Sequence, residues 1–376
     1  MTETASSAAP SPSLTPHSSL PPLSQVVVAL DAMGGDYAPQ ATVEGAVLAA
    51  RKWGITVELV GNEALLLPEL AKHNTKGLNL PIVHTVEVID MDEAPAVSLR
   101  KKRNASIALS ARRVKEGHAH AMVAAGSTGA AMAAALLTLG RLHGVDRPAI
   151  GLPMPRIGHP CLLIDAGANV DCDKAWLHQF ALMGQAYMQG LFGIEHPKVG
   201  LLNIGTEEGK GNRWCHEAFD YLTAAEGFHF VGNAEGRDLF LGERCDVIVA
   251  DGFHGNVALK AAEGMISLAL NLLKREFMAS PANKLVALLV KPLLQKALRP
   301  LRHEEVGGSL LLGVKGLCVI AHGGSSGYAI AQALKVGATA AQAGVLQKME
   351  AAFVKAAAAD DAALHASAEA PPVTEP

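Results

Sequence analysis

Residues 246–260 read DVIVADGFHGNVALK. A short run of β-branched and small apolar residues, 247–250, ends at Asp251 and Gly252, and from Gly255 onward the spacing turns helical. A buried run this short, stopped by an acid and a glycine and followed by a helix, is the strand, turn and helix of a parallel sheet. The same pattern extends in both directions. Strands are expected at VVVAL (26–30), ITVELV (55–60), LPIVHT (80–85), AMVAAG (121–126), AIGLPM (149–154), CLLIDAG (161–167), KVGLLNIG (198–205) and CVIAHG (318–323). Helices are expected over 39–53, 105–116, 128–142, 174–189, 213–224, 255–278 and 325–335. This alternation predicts an α/β protein with a doubly wound, mostly parallel sheet covered on both faces.

The 376 residues, 49% of them hydrophobic, can build one large core. The boundaries read as a Ser- and Pro-rich disordered leader over 1–24, an α/β domain over 25–343, and a tail over 344–376 that is first helical and then disordered. The formal net charge of -4 supplies no overall basic field, so nucleic acid is not an expected partner. Five cysteines, scattered and without a CxxC pair, fit neither a disulfide framework nor a zinc site and point to a reducing compartment. No apolar run reaches the length of a membrane span.

In an open α/β sheet, ligands bind at the carboxyl ends of the strands, where backbone N–H groups are unpaired. Six such turns here are polar. LDAMGGD contributes Gly34 and Gly35, AAGSTGA contributes Gly126, Ser127, Thr128 and Gly129, and IDAGANVD contributes Asp165 and Asn169. LNIGTEEGKGN offers Asn203, Thr206 and Lys210, and AHGGSS offers His322 and Ser325. In VADGFHGNVALK, Asp251 closes the strand and Lys260 follows Asn256 by one helical turn, so an amide and an ammonium can face one pocket and stabilise an oxyanion or hold phosphate. Asp251, Asn256 and Lys260 are the expected catalytic group, and the other eleven side chains and glycines and Gly34 and Gly35 the expected phosphate or substrate contacts.

Other chemistries lack their residues. LNIGTEEGKGN is no P-loop, because its glycines are too close and Gly211 stands where a magnesium-binding Ser or Thr belongs. HExxH, an EF-hand and a His cluster are absent, so no metal is expected, and no cofactor either. His322 and Ser325 lack a nucleophile elbow and read as ligand-binding or capping groups.

Residues 280–302, SPANKLVALLVKPLLQKALRPLR, break the rhythm, with five basic residues, no acid, and leucines at helical spacing. Pro292 is expected to divide the segment into two short helices of an amphipathic hairpin. Either this hairpin packs in a core or dimer interface, or Lys291, Leu293, Leu294 and Lys296 dock it on an anionic membrane face.

Taken in order, LDAMGGDYAP, AAGSTGA, IDAGANVD, LNIGTEEGKGN, GNAEGRD, DVIVADGFHGNVALK and AHGGSSG resemble the motif series of the PlsX phosphate acyltransferases, across about residues 26–342. The sequence departs from that series at Ser127, where the family often has Asn, and at Ala105, where it often has Ser. The resemblance implies a fold similar to phosphotransacetylases and isocitrate- or isopropylmalate-type dehydrogenases, and a homodimer. It also implies transfer of a fatty acyl group from acyl-carrier protein to inorganic phosphate, giving acyl phosphate for a membrane-embedded glycerol-3-phosphate acyltransferase. It implies a cytoplasmic protein reversibly associated with the inner face of the membrane. In the same reading Arg100, Lys101 and Lys102 meet phosphate or the acidic carrier. The rival readings are a phosphotransacylase using a coenzyme A thioester, a dehydrogenase of related fold, for which GxGxxG is missing, and a non-catalytic membrane scaffold.

Overall fold

A computed structural model describes residues 22–90, 92–301 and 303–368. The expected leader up to residue 21, Arg302 and the tail from 369 lie outside the described residues. The first half of the chain runs β1 (Val27–Asp31), α1 (Gln40–Trp53), β2 (Thr56–Gly61), α2 (Glu63–Leu70), β3 (Ile82–His84), α3 (Pro95–Lys101), α4 (Ser106–Lys115), β4 (Ala121–Ala124), α5 (Thr128–Thr138) and β5 (Ala149–Met154). Then come β6 (Cys161–Ile164), α6 (Lys174–Leu191), β7 (Lys198–Asn203), α7 (Arg213–Ala224), β8 (His229–Glu235), β9 (Val247–Val249), α8 (Gly252–Met278) and α9 (Pro281–Leu298). The chain closes with α10 (His303–Val306), β10 (Ser309–Leu312), β11 (Leu317–Ile320), α11 (Gly327–Gln342) and α12 (Val345–Ala368).

The strands form one sheet in the order β3-β2-β1-β4-β11-β10-β5-β6-β9-β7-β8. It is mostly parallel, as the alternating pattern predicted, but its direction reverses in the middle. β1, β2, β3, β4 and β11 run together. β10 is antiparallel to both β11 and β5, and β5 is antiparallel to β6, from which β9, β7 and β8 continue in parallel. β5 therefore runs with the first group and against the second. Its first half pairs with β10, Gly151 opposite Leu310, and its second half pairs with β6, Leu152 opposite Leu163. Ile320, the end of β11, lies opposite Ser309, one step beyond Leu310, while Ile164, the end of β6, lies one step beyond Leu163. The carboxyl ends of both groups thus point toward each other and meet at the level of Gly151 and Leu152.

Alternation along each strand feeds two cores. On β6, Leu162 and Ile164 join the face covered by α1, α6, α11 and α12, and Cys161 and Leu163 join the face covered by α4 and α5. Two strands were not legible in the sequence. β8 carries Gly232 at φ 89° beside a register shift against β7, a bulge that breaks its alternation, and β10 is four residues behind two glycines. The short helices α2 and α3 were also unexpected, α8 begins at Gly252 rather than Gly255, and α11 covers Gly327–Gln342 rather than 325–335.

The segment 280–302 is not a hairpin by itself. Pro292 lies inside a single helix, α9, and the second arm is the outer part of α8, against which α9 packs. Proline removes one N–H bond, and the full turns on either side hold the helix through it. The bend is clipped at Ser280, whose Oγ accepts from Asn283 N, while Asn283 Nδ2 donates to Glu276 O at 2.8 Å. Leu285, Leu288, Leu289 and Leu293 are exposed on α9, and Met265, Leu268 and Leu272 on α8. The expected docking pair separates, since Leu293 is 70% exposed but Leu294 is half-buried. Among the described residues no helix is long and apolar enough to cross a membrane.

The start of α8 presses against the turn after β6. A Cβ on Gly255 would land on the Asp165 carbonyl oxygen, and one on Gly252 on the Asn169 carbonyl. Gly255→Ala should therefore lower unfolding stability by about 3 kcal/mol, the upper end for overpacking. Urea unfolding of the variant beside wild type measures this, and an unchanged midpoint would show that α8 has room to retreat.

Candidate active site

Where the two sets of strand ends meet lies a cavity of about 570 Å³. Its polar lining comes from three of the turns singled out in the sequence: Thr128 after β4, Asn256 and Lys260 on α8 after β9, and His322 and Ser325 after β11. Gly167, from the turn after β6, lines it too, with Ser309, Ser326, Glu263 and Glu304, which the sequence reading missed.

The turn after β6 is a scaffold for this wall. Asp165 is fully buried and accepts hydrogen bonds from the N–H groups of Ile150, Gly167, Ala168 and Asn169. Burial pushes its carboxyl above the ordinary range, against the pull of those donors. Asn169 donates to Asp165 and to Pro148 O. Both side chains are engaged in shaping the turn, and neither is among the residues that line the cavity. Asn256 is pinned on the same turn, its Nδ2 donating to Ala166 O at 3.1 Å.

Asp251, expected in the catalytic group, is not among the residues that line the cavity. It caps α8, accepting from His254 N at 2.7 Å, and its other oxygen lies 2.7 Å from His254 Nδ1. His254 stacks on Trp214 of α7, away from the cavity. Lys260 remains as the cation among the described lining residues, with its ammonium 2.9 Å from Glu263 of the next turn. His322 has a defined role: Gly324 N–H donates to its Nδ1 at 3.1 Å, so the neutral ring carries its proton on Nε2 and offers a donor. Ser326 Oγ donates to Glu304 at 2.8 Å and caps α11.

The remaining predicted contacts lie elsewhere. Asn203 Nδ2 donates to Lys210 O across its own loop and to Asn233 Oδ1 on β8, Lys210 is exposed at 4.0 Å from Glu207, and neither they nor Thr206 line the cavity. Gly129 abuts Pro95 of α3. Gly34, Gly35, Gly126 and Ser127 line a separate niche of about 80 Å³ together with Asp31. Ser127 Oγ caps α5, and an anion in the niche would face the Asp31 carboxyl. Ser127 serves as an N-cap and Asn203 closes its own loop, demands that a sequence does not separate from ligand binding. Among the described residues no group of three or more His, Cys, Asp or Glu is placed to hold a metal.

The fold has relatives among solved structures. A phosphotransacetylase from Streptococcus pyogenes superposes with a TM-score of 0.57 at 18% identity, covering 85% of this chain and 94% of that one. A 4-hydroxythreonine-4-phosphate dehydrogenase from Klebsiella pneumoniae gives 0.50 at 12% identity, covering 84% and 98%. The architecture is thus the one shared by phosphotransacetylases and dehydrogenases of that kind. Closer similarity is in sequence. The phosphate acyltransferase of Nitratidesulfovibrio vulgaris is 45% identical over 317 residues, 84% of this chain and 92% of that protein. That of Pelotomaculum thermopropionicum is 48% identical over 309 residues, 82% and 90%. The family model described as fatty acid synthesis protein matches residues 26–348. The chain belongs to that family, the PlsX phosphate acyltransferases, and is an acyltransferase that uses phosphate as acceptor.

Asp31 supplies a pH test of the niche. Burial raises its carboxyl from 3.8 to about 6, against hydrogen bonds from Ser106, Met33 and Gly34. Between those values the folded protein holds the proton that the unfolded chain has lost, so Asp31 lowers stability as pH rises from about 4 to about 6, by up to about 3 kcal/mol. Asp31→Asn removes this loss. Its stability relative to wild type should rise between pH 4 and 7 in urea unfolding; a constant difference would place the titration elsewhere.

Proposed function

We propose that the cavity binds inorganic phosphate at its polar end and that the acyl donor is the thioester of acyl-carrier protein. The observation that carries the reading is the meeting of Lys260, Asn256, Thr128 and the Nε2–H of His322 in one cavity. Together they supply the cavity with an ammonium, an amide, a hydroxyl and a ring N–H, the donor types that a tetrahedral anion accepts from. Lys260 is paired with Glu263 before phosphate arrives, and a doubly charged anion is the stronger partner for it.

A phosphate oxygen attacks the thioester carbonyl, the C–O bond forms, the C–S bond breaks, and the thiolate leaves and takes a proton. Phosphate is anionic at neutral pH and a thiolate is a good leaving group, so the reaction asks for positioning and for donors on the carbonyl oxygen as it gains charge. The carrier protein as donor is consistent with α3, which packs on α5 and exposes Arg100 and Lys101, with Arg103 following, a basic surface that would also attract the phosphates of coenzyme A. Lys102, expected in that basic group, is instead tied to Glu93 and to Val88 O. An acidic protein fits this surface. The product, acyl phosphate, would pass to a membrane-embedded glycerol-3-phosphate acyltransferase. The exposed leucines of α9, flanked by Lys284, Lys291 and Lys296, are the surface that would meet an anionic membrane, or a second copy of the chain.

The test is phosphate-dependent release of thiol from acyl-carrier protein, run beside acyl-coenzyme A. Turnover with the carrier protein and at least a tenfold loss of kcat/KM for phosphate in Lys260→Ala are expected; an unaltered Lys260→Ala would remove the lysine from the site, and turnover with coenzyme A alone would make the enzyme a phosphotransacylase. For the hairpin, flotation with anionic vesicles should fall severalfold in a Leu289→Glu, Leu293→Glu double variant. Equal flotation would end the membrane reading.

A further inference from the structure

We infer that the apolar arm of this cavity is the acyl-chain site, and that Ala262 sets how much chain it admits. The inference rests on the reading that a thioester carbonyl reacts at the polar end. From Asn256 the cavity follows one face of α8, past Leu259, Ala262 and Ile266, spaced three and four residues apart. At 1.5 Å per residue, Asn256 to Ile266 spans about 15 Å, enough for the greater part of a fatty acyl chain. The cavity is lined as well by the second half of β5, with Leu152 and Met154, by Phe240 from beyond β8, and by Leu301, just past α9.

The two ends of the cavity differ in chemistry. Donors gather where the strand ends meet, and the side chains further along α8 on this face are hydrocarbon apart from Glu263, which is tied to Lys260. A thioester carbonyl reacting beside the phosphate at this polar end has an apolar path along α8, past Leu259, Ala262 and Ile266. Leu285, Leu289 and Leu293, on the outside of the hairpin, do not line it. Among Leu259, Ala262 and Ile266, Ala262 is the small one, and it sits between the other two. A larger side chain there would narrow the arm past Leu259.

Binding of straight-chain alkyl phosphates from hexyl to dodecyl, below their micelle concentrations, tests this by isothermal titration. In wild type each added methylene should tighten binding up to about fourfold, the worth of one buried CH2. Ala262→Phe should leave hexyl phosphate within about threefold of wild type and make affinity stop rising at a shorter chain. Ile266→Trp, at a half-buried position on an arm outside the core, should do the same and covers the case in which Ala262→Phe does not fold. Affinity that is independent of chain length, or that levels off at the same length in both variants as in wild type, would overturn the proposal. Length-dependent binding in a protein that releases no thiol would support the acyl site while overturning the proposed reaction.

Discussion

The antiparallel pairing of β5, with β10 along its first half and β6 along its second, governs the rest of the molecule. A purely parallel sheet would place all of its polar turns along a single edge, and each would serve its own short stretch of surface. Because β5 is shared between two groups of opposite direction, the turns after β4 and β11 face the turns after β6 and β9 across one gap. The cavity is that gap.

A second constraint acts within the first. α8 delivers Asn256 and Lys260 only because Gly252 and Gly255 let its first turn lie against the turn after β6, and that turn keeps its shape because the buried Asp165 collects its N–H groups. The most deeply buried acid near the site is thus architectural, while the groups facing the cavity include an ammonium, an amide, a ring N–H and several hydroxyls, with the carboxylates of Glu263 and Glu304 tied to Lys260 and Ser326. For acyl transfer to phosphate this division is sufficient. The nucleophile arrives already charged, and what the protein adds is position and donors in a partly enclosed space. On the proposed reading, the hydrocarbon arm beyond Lys260 would give the acyl group a direction, and one helix, α8, would align both reacting partners.

Much of the strand and helix pattern was legible because buried β-branched runs and helical spacing are local signals. β8 and β10 escaped because a bulge at Gly232 and a four-residue length erase alternation. In the site, Lys260, Asn256, Thr128, His322 and Ser325 lie in the cavity, whereas Asp251, Asp165, Asn169, Asn203, Thr206, Lys210, Gly34, Gly35, Gly126, Ser127 and Gly129 do not line it. Asp251 and Ser127 show why. An N-cap and a ligand-binding turn require the same residue types at the same place after a strand. Glu263 and Ala262 carried no motif at all; only the face of α8 that they share with Lys260 and Leu259 marks them.

The sequence by itself determined the α/β class, the positions of the polar turns and, through the order of its motifs, the family, since these depend on residues near one another along the chain. Which turns share a cavity and which acids are spent on capping were decided by the tertiary structure. These depend on the direction in which β5, β6 and β10 pair, and strand direction is set by contacts between segments far apart in the chain.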